Sequence, residues 1–116
     1  MTRRRAERGG RRAERLAAWW LRLQGWRILG MRVRTPVGEV DLIARRGRML
    51  IFVEVKARAT AADSEAALDE WRLRRVVRAA EALLPRYAKE GDVVRIDAMF
   101  ITPWALPKWL QNVSQL

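Results

Sequence analysis

The sequence predicts a single α/β domain with a mixed sheet flanked by helices, and three observations support this fold class. Two segments have the apolar spacing of amphipathic helices, and four segments are rich in apolar and β-branched residues. Their order along the chain is helix, three antiparallel strands, helix, strand. A length of 116 residues suffices for one core of modest size and not for two.

The first helix is predicted over residues 11–24, and Gly25 supplies its stop. The apolar residues that recur there at helical spacing are Ala13, Leu16, Ala17 and Trp20. Residues 1–10 hold a cluster of arginines and a Gly-Gly pair, so we expect them to form a disordered basic arm.

Three strands are predicted next, at 26–35, 38–45 and 49–57. Pro36 presets a turn between the first two strands, because its ring fixes φ. The third strand is almost entirely apolar, which is typical of a strand covered on both faces.

The second helix is expected to begin at a cap provided by Asp63 or Ser64, and Pro85 should kink or restart it. Its apolar stripe consists of Leu68, Leu73, Val76, Val77, Ala80, Leu83, Leu84 and Tyr87. A last strand at 93–101 completes a domain spanning 11–102. We expect residues 103–116 to form an irregular or short helical tail that packs on the core.

The composition excludes several kinds of chemistry. The chain has no cysteine and no histidine, so disulfides, zinc–thiolate sites, cysteine nucleophiles and histidine bases are ruled out. Any bound metal must take oxygen ligands. No apolar run approaches the roughly 20 residues that span a bilayer, so we expect no membrane partner and a cytoplasmic location.

The net charge of +11 points to a polyanionic partner, most often nucleic acid. A solubilising surface or attraction to an anionic membrane would give the same charge, and charge alone does not choose among them. Lysine is rare, with three among the 24 basic residues, yet one of the three is Lys56. A lysine offers a compact charge on a flexible stem, unlike the fixed fork of arginine.

Charged residues inside two apolar strands form the main candidate site. Glu39 and Asp41 share one face of the second strand, and Glu54 and Lys56 share one face of the third. Charge within apolar strands is costly unless something uses it. An Asp followed by Glu-x-Lys on the next strand is how many nucleases hold a divalent metal against a phosphate.

The hairpin loop decides whether these groups meet. A loop closed by Arg46-Gly47 places Glu39 opposite Glu54, whereas one closed by Gly47-Arg48 places Asp41 opposite Glu54. Either even loop gathers the four groups, given cross-strand spacings of about 5 Å directly and 7–8 Å diagonally. An odd loop would scatter them.

Clustered carboxylates repel one another, and a divalent cation relieves that repulsion. We therefore expect Mg²⁺ or Mn²⁺ as the cofactor, with Lys56 orienting water or offsetting charge on the phosphate. The alternative is structural: the Glu54-Val55-Lys56 end of the strand could be exposed, and Glu39 could form a surface pair with Lys56. Spacing alone supports the two about equally.

Four motifs in the chain are GRRAE at 10–14, GEVDLIA at 38–44, FVEVKAR at 52–58 and RID at 95–97. Together they resemble the YraN-type uncharacterised protein family, over about residues 10–101. That resemblance implies a restriction-endonuclease-like fold, similar to archaeal Holliday junction resolvases, and an endonuclease-like activity inferred from the fold.

The resemblance also implies roles for individual residues. Asp41, Glu54 and Lys56 are the implied catalytic core, with Glu39 and Glu14 as further acids at the metal. The chain departs from the family in the second helix, where Arg72-Leu73 stands in place of a usual Lys-Gln pair and the neighbouring Trp71 is also unusual. This departure favours a version of the fold without full activity.

Arginines near these motifs are candidate phosphate contacts, since such contacts supply most non-specific affinity for nucleic acid. The candidates are Arg58, Arg72, Arg75 and Arg78. A solvated arginine at 58 and a charged outer face of the second helix explain them as simply. Asp97 is an acid that either supports the metal site or, more often in such settings, pairs with Arg95.

Six tryptophans are many for this length. Trp20 lies on the first helix's apolar stripe and is predicted in the core. Trp19, Trp104 and Trp109 either stack on bases or, the more common role, pack in the core or at an interface. A homodimer would suit a tail with two tryptophans.

The sequence thus predicts a metal-dependent endonuclease-like protein that acts on DNA rather than RNA, possibly branched or structured DNA. Two other classes stay open. One is a nucleic-acid-binding module on a nuclease scaffold without catalysis. The other is a basic protein-interaction or ribosome-associated factor.

Overall fold

The structure, a computed structural model, describes residues 3–58, 70–114 and 116. Its elements in chain order are α1 (Arg3–Leu23), β1 (Arg27–Thr35), β2 (Gly38–Arg46), β3 (Met49–Ala57), α2 (Glu70–Tyr87), β4 (Val93–Ile101) and β5 (Lys108–Ser114). The predicted α/β class and the order of the first six elements are confirmed, and β5 is an addition.

The five strands form one mixed sheet in the order β1-β2-β3-β4-β5. The first three strands are antiparallel, β3 and β4 are parallel, and β4 and β5 are antiparallel. A parallel pair needs a long crossover, which here contains α2. This mixed sheet with two helices is compatible with a restriction-endonuclease-like core.

Each face of the sheet is covered by one helix. On one face α1 contributes Ala13, Ala17, Ala18 and Leu21 to a core with β2, β3 and β4. On the other face α2 contributes Val76, Ala79, Ala80 and Leu83. The central strand β3 is buried over most of its length, as its continuous apolar sequence predicts.

The β2–β3 hairpin has the even loop closed by Gly47-Arg48. Arg46 pairs with Met49 and Leu42 with Val53, which is the second of the two predicted registers. Gly47 has a φ of 62°, a left-handed conformation that glycine adopts without steric cost.

The first helix differs from its prediction at its start and on one face. It begins at Arg3, not Arg11, so much of the predicted arm lies within α1. Arginine, alanine and glutamate are good helix formers, which explains the extension. Leu16 was predicted on the buried stripe but is 49% exposed, because α1 buries the stripe containing Ala17 and Leu21 instead.

The predicted irregular or short helical conformation of the tail was wrong, because residues 108–114 form β5 along the edge of β4, whereas its predicted packing on the core is confirmed by Trp109 and Val113. The two prolines that suggested irregularity lie before this strand, where no ladder N–H is needed. The pairing shifts register between Ile96 and Ala98, and Asn112 there has a φ of 56°. The N–H of Asn112 donates to Asp97 Oδ1 at 2.9 Å, so a buried carboxylate anchors the irregular strand.

The second helix is described from Glu70, so the predicted caps Asp63 and Ser64 and the apolar Leu68 lie outside the described residues. Its stripe from Leu73 onward is buried or partly buried, as predicted. Pro85 lies in the last turn, and the helix ends at Tyr87. Among the described residues, no helix is long and apolar enough to cross a membrane.

Candidate functional site

The candidate site lies at the end of the β2–β3 hairpin away from its turn. The β2–β3 pairing ends with Leu42 and Val53, so Asp41 and Glu54 are the next residues on the two strands, and Lys56 lies two residues further along β3. The start of β2 and the end of β3 therefore bring together the three residues predicted as the catalytic core.

A break in the alternation of β2 occurs at Asp41. Val40 packs in the core beneath α2, whereas Leu42 packs in the core beneath α1. In a regular strand two residues this far apart would share one face. Opposite the break, Arg32 of β1 has a φ of 50°, which is uncommon for a residue with a side chain. The strands are thus locally distorted where Asp41 enters the site.

Asp41 is held against the backbone of β3. Its Oδ2 accepts a hydrogen bond of 2.8 Å from the N–H of Val55, the residue between Glu54 and Lys56. Burial and the charge of Glu54 raise the pKa of Asp41 to about 7, against the lowering effects of the Val55 hydrogen bond and Lys56. The fold therefore keeps a carboxyl group at this point at a cost in electrostatic energy.

Glu54 and Lys56 form an ion pair on the end of β3. Lys56 Nζ lies 2.6 Å from Glu54 Oε1, and their side chains are only 15% and 12% exposed. Both residues have the strand parity of Leu50 and Phe52, which pack beneath α2. The alternative that Glu54 and Lys56 are freely solvated is thus wrong, although an ion pair by itself assigns no function.

Glu14 approaches the site from α1. Its side chain is 7% exposed, and Arg32 Nε donates to its Oε1 at 2.5 Å. The Glu14 charge also contributes to the raised pKa of Asp41. Glu14 can lie at the edge of the apolar stripe of α1 because Arg32 compensates its buried charge.

Arg32 is the residue at this site that sequence reasoning missed. Hydrogen bonding and charge from Glu14, with smaller effects from Glu39 and Asp41, raise its pKa. A Cβ added at Gly10 would lie 3.4 Å from one of its guanidinium nitrogens, so Gly10 is packed against Arg32. No local pattern distinguishes Arg32 from the other arginines of β1.

Glu39 lies further out than the other acids. Its Oε2 accepts from Arg34 Nε at 3.3 Å, and its side chain is 35% exposed. The predicted position of Glu39 assumed that side chains alternate regularly along β2, and the break at Asp41 interrupts that alternation. The predicted surface pair of Glu39 with Lys56 is not formed, because Glu39 pairs with Arg34 and Lys56 pairs with Glu54.

The candidate phosphate-binding arginines fall into two groups. Arg58 is half-buried two residues beyond Lys56, and it donates to the Ala57 carbonyl at 2.9 Å. Arg72, Arg75 and Arg78 are exposed on α2, where Arg75 stacks on Trp71 at 5.0 Å.

Helix α2 is fixed close to the start of β2 by a glycine. A Cβ at Gly38 would lie 3.1 Å from the carbonyl oxygen of Arg75. Only glycine permits this approach without a shift of the backbone. The glycine of the GEVDLIA motif therefore brings the arginine-bearing part of α2 beside the strand that carries Asp41.

The carboxylates of Asp41 and Glu54 could supply some of the oxygen ligands that a hard divalent cation needs. Within residues 3–58, 70–114 and 116, no set of three or more acidic side chains is arranged to hold a metal ion. Mg²⁺ is commonly bound through one or two carboxylates, with waters and substrate phosphate completing its shell. Asp41 and Glu54 match that donor set, and their repulsion is what a cation would relieve.

Asp97, the other acid of interest, has a structural role. It is fully buried and accepts from Arg95 at 2.9 and 2.7 Å and from Trp109 Nε1 at 2.8 Å. The predicted pairing with Arg95 is confirmed. Trp109 also packs edge-on against Trp26 at 5.8 Å, as predicted for core packing, and Trp20 is partly buried against the same core.

Comparison with known proteins gives the family. The profile of Uncharacterised protein family UPF0102 matches residues 13–101. A UPF0102 protein from Sphingopyxis alaskensis is 61% identical over 115 residues, covering 99% of each chain. One from Rhizorhabdus wittichii is 65% identical over 108 residues, covering 93% of this chain and 92% of its own. One from Erythrobacter litoralis is 50% identical over 115 residues, covering 99% of each chain. The chain belongs to Uncharacterised protein family UPF0102.

Proposed function

We propose that this protein is a metal-dependent endonuclease that acts on DNA, including branched or otherwise structured DNA. The observation that carries the proposal is the hydrogen bond from the Val55 N–H to Asp41 Oδ2, at 2.8 Å. It fixes the acid of one strand beside the Glu-x-Lys of the next. A purely structural hairpin has no need of a carboxyl whose pKa is raised to about 7.

Asp41 and Glu54 are the proposed ligands of Mg²⁺ or Mn²⁺. When bound, the cation polarises the phosphate and lowers the pKa of a water molecule. Glu14 and Glu39 were expected at the metal too, but each is paired with an arginine. We assign them to the surrounding charge network rather than to direct ligation.

Lys56 is the proposed catalytic cation. Its ammonium group lies against Glu54, so it can hold the attacking water by hydrogen bonding and offset negative charge on the phosphate. Attack of the water oxygen on phosphorus then breaks the bond between phosphorus and a sugar oxygen, and the sugar leaves as an alcohol that takes up the proton the attacking water loses. Arg58 and the α2 arginines, with the net charge of +11, are the proposed contacts to the phosphate backbone.

A second candidate is a nucleic-acid-binding module without catalysis. It is favoured by the ion pair of 2.6 Å, which already satisfies Glu54 without a metal. It is also favoured by the lack, among the described residues, of a set of three acids arranged for a metal. In this case the same arginines bind phosphates and Lys56 is structural.

Cleavage of a panel of labelled substrates in Mg²⁺ or Mn²⁺ separates the two candidates. The panel contains a four-way junction, a flap, single and double strands, and an RNA hairpin. The nuclease requires metal-dependent cutting that is lost in Lys56→Ala while binding is retained. Binding that weakens with salt, without cutting of any substrate, would establish the non-catalytic module. Cutting that persists in Lys56→Ala would contradict the assigned site.

A further inference from the structure

A wide apolar groove lies between α1 and the turn that follows β4, beside the candidate site. Its volume is about 690 Å³, within the range of about 300–1,000 Å³ typical of ligand sites. The residues that define this tryptophan groove are Leu16, Trp19, Leu23, Trp104 and Pro107, with Arg12 and Arg58 on its walls.

The two tryptophans of the groove are exposed although their rings are large and apolar. Trp19 is 61% exposed, and Trp104 is fully exposed. Large exposed apolar patches on a small protein mark binding surfaces. Trp104 also has a φ of 62°, a conformation that costs energy for a bulky residue and that clusters at binding sites.

The groove lies on the α1 side of the sheet, and two of its lining residues are neighbours in sequence of residues at the candidate site. Ala13 lines the groove and is followed directly by Glu14, and Ala57 lines it and directly follows Lys56. Because side chains alternate along β3, Ala57 faces the α1 side and Lys56 the α2 side, so a nucleic-acid strand that reaches both must pass around the end of β3. The arginines on its walls complement a phosphate backbone rather than an apolar protein surface.

We propose that the tryptophan groove binds the unpaired bases of a single nucleic-acid strand, an inference that rests on the proposed nuclease function and narrows its substrate class. The bases stack on Trp19 and Trp104, and Arg12 and Arg58 contact the phosphates. A charged channel with aromatic platforms is how proteins bind single strands without reading their sequence. Fully paired DNA cannot offer its base faces to these rings.

The test compares tryptophans inside and outside the groove. Trp71 is a matched control, since it is 59% exposed but lies on α2, outside the groove. Binding of a fluorescent oligothymidylate of about 15 nucleotides is measured without metal, for wild type, Trp71→Leu and the double variant Trp19→Leu with Trp104→Leu. A duplex and an oligouridylate of the same length are measured in parallel.

The double variant should bind a single strand of DNA or RNA about tenfold more weakly for each lost tryptophan, since stacking contributes about 1–3 kcal/mol per base. Its duplex affinity should stay within about twofold of wild type, and any loss in Trp71→Leu, whose ring stacks on the phosphate-contact candidate Arg75, should be equal for single strand and duplex. For the double variant, an unchanged single-strand affinity, or an equal loss for the duplex, would overturn the proposal. If the double variant misfolds, the single-strand and duplex affinities of the single variant Trp104→Leu are compared with wild type in the same way.

The competing explanation is that a second copy of the chain occupies the groove. The oligomeric states of wild type and the double variant, measured by analytical ultracentrifugation, distinguish the two explanations. If wild type is a dimer and the double variant is a monomer, the assignment of the groove to bases is overturned. If both proteins are monomers, the assignment is supported. Because binding is measured without metal, failure of the nuclease proposal would appear separately, as a lack of cutting with the stacking result intact.

Discussion

The carboxylate of Asp41 accepts a hydrogen bond from the backbone N–H of Val55, and this links the start of β2 to the Glu-x-Lys segment of β3. The link holds the half-buried carboxylate of Asp41 beside the buried Glu54, and the negative charges of the two side chains repel each other. An arrangement that is unfavourable without a cation is expected where one binds. Stability, metal binding and catalysis should therefore respond differently to changes at these residues.

Asp41→Asn should stabilise the metal-free protein at alkaline pH. The unfolded chain releases this proton near the ordinary pKa of 3.8, whereas the folded protein keeps it up to about 7. The folded state then binds more protons in that window, so the Asp41 contribution to the free energy of unfolding falls as pH rises through it. Asparagine can still accept the Val55 hydrogen bond and carries no charge.

Thermal unfolding of wild type and Asp41→Asn checks this at two pH values. At about pH 8.5 the variant should melt a few degrees higher, since about 1 kcal/mol shifts the Tm of such a domain by about 4 °C. At about pH 4 the two should nearly coincide, because Asp41 is largely protonated in the folded state. A variant that melts lower than wild type at alkaline pH would show that Asp41 is stabilising there.

Gly38→Ala should destabilise the fold. The new Cβ would meet the Arg75 carbonyl oxygen at 3.1 Å, so α2 or β2 must shift. We expect a loss of about 1–3 kcal/mol in the free energy of unfolding, measured by urea denaturation. Gly10→Ala is the control, since its Cβ has ordinary contact at 3.4 Å and a helical alanine gains about 0.5–1 kcal/mol. Equal effects at both positions would contradict the close approach at Gly38.

Asp97→Ala should release the edge strand. The change leaves Arg95 half-buried without its acid and removes the acceptor of Trp109 and Asn112. Breaking a buried pair in this way costs about 3–5 kcal/mol. Amide hydrogen exchange should accelerate over β5 more than over β3. The exposed ion pair of Arg34 with Glu39 serves as the comparison. Arg34→Ala should lower the free energy of unfolding by less than about 1 kcal/mol. Unchanged protection of β5 would argue against its anchoring by Asp97.

Asp92 should govern stability at acidic pH. The two terminal guanidinium nitrogens of Arg45, Nη1 and Nη2, donate to it at 2.8 and 2.7 Å and hold its pKa down to about 2. Because the folded pKa is depressed, the stabilisation is present above the ordinary value of 3.8 and is lost as pH falls towards about 2. The difference in Tm between wild type and Asp92→Asn should shrink over that interval. A difference that does not depend on pH would mean that the pair acts through packing.

Local chemistry made much of the fold and of the site predictable. Gly47 marked the hairpin turn, and for an even loop alternation put Asp41 opposite Glu54 in one of two registers, the one whose loop is Gly47-Arg48 being found. The apolar run of β3 marked the central strand. These features depend on residues that are close in sequence, where turn geometry and side-chain periodicity decide the outcome.

Features set by distant residues were not predictable. The strand β5 depends on Asp97, which supplies an acceptor to the N–H of Asn112 from another strand. The role of Arg32 depends on Glu14, which lies on a separate helix. The exposed face of α1 at Leu16 depends on which stripe the sheet covers, and helical spacing alone fits more than one stripe.

The central claim is that Asp41 and Glu54 bind a divalent cation, and a titration with Mn²⁺ followed by electron paramagnetic resonance tests it most directly. The account predicts one saturable site in wild type and at least about tenfold weaker binding in Asp41→Asn. Lys56→Ala should bind Mn²⁺ as tightly or more tightly, because it removes the ammonium group 2.6 Å from Glu54 Oε1. Glu81→Gln, an exposed acid on α2, should match wild type. No saturable site in wild type, or binding unchanged in Asp41→Asn, would contradict the account.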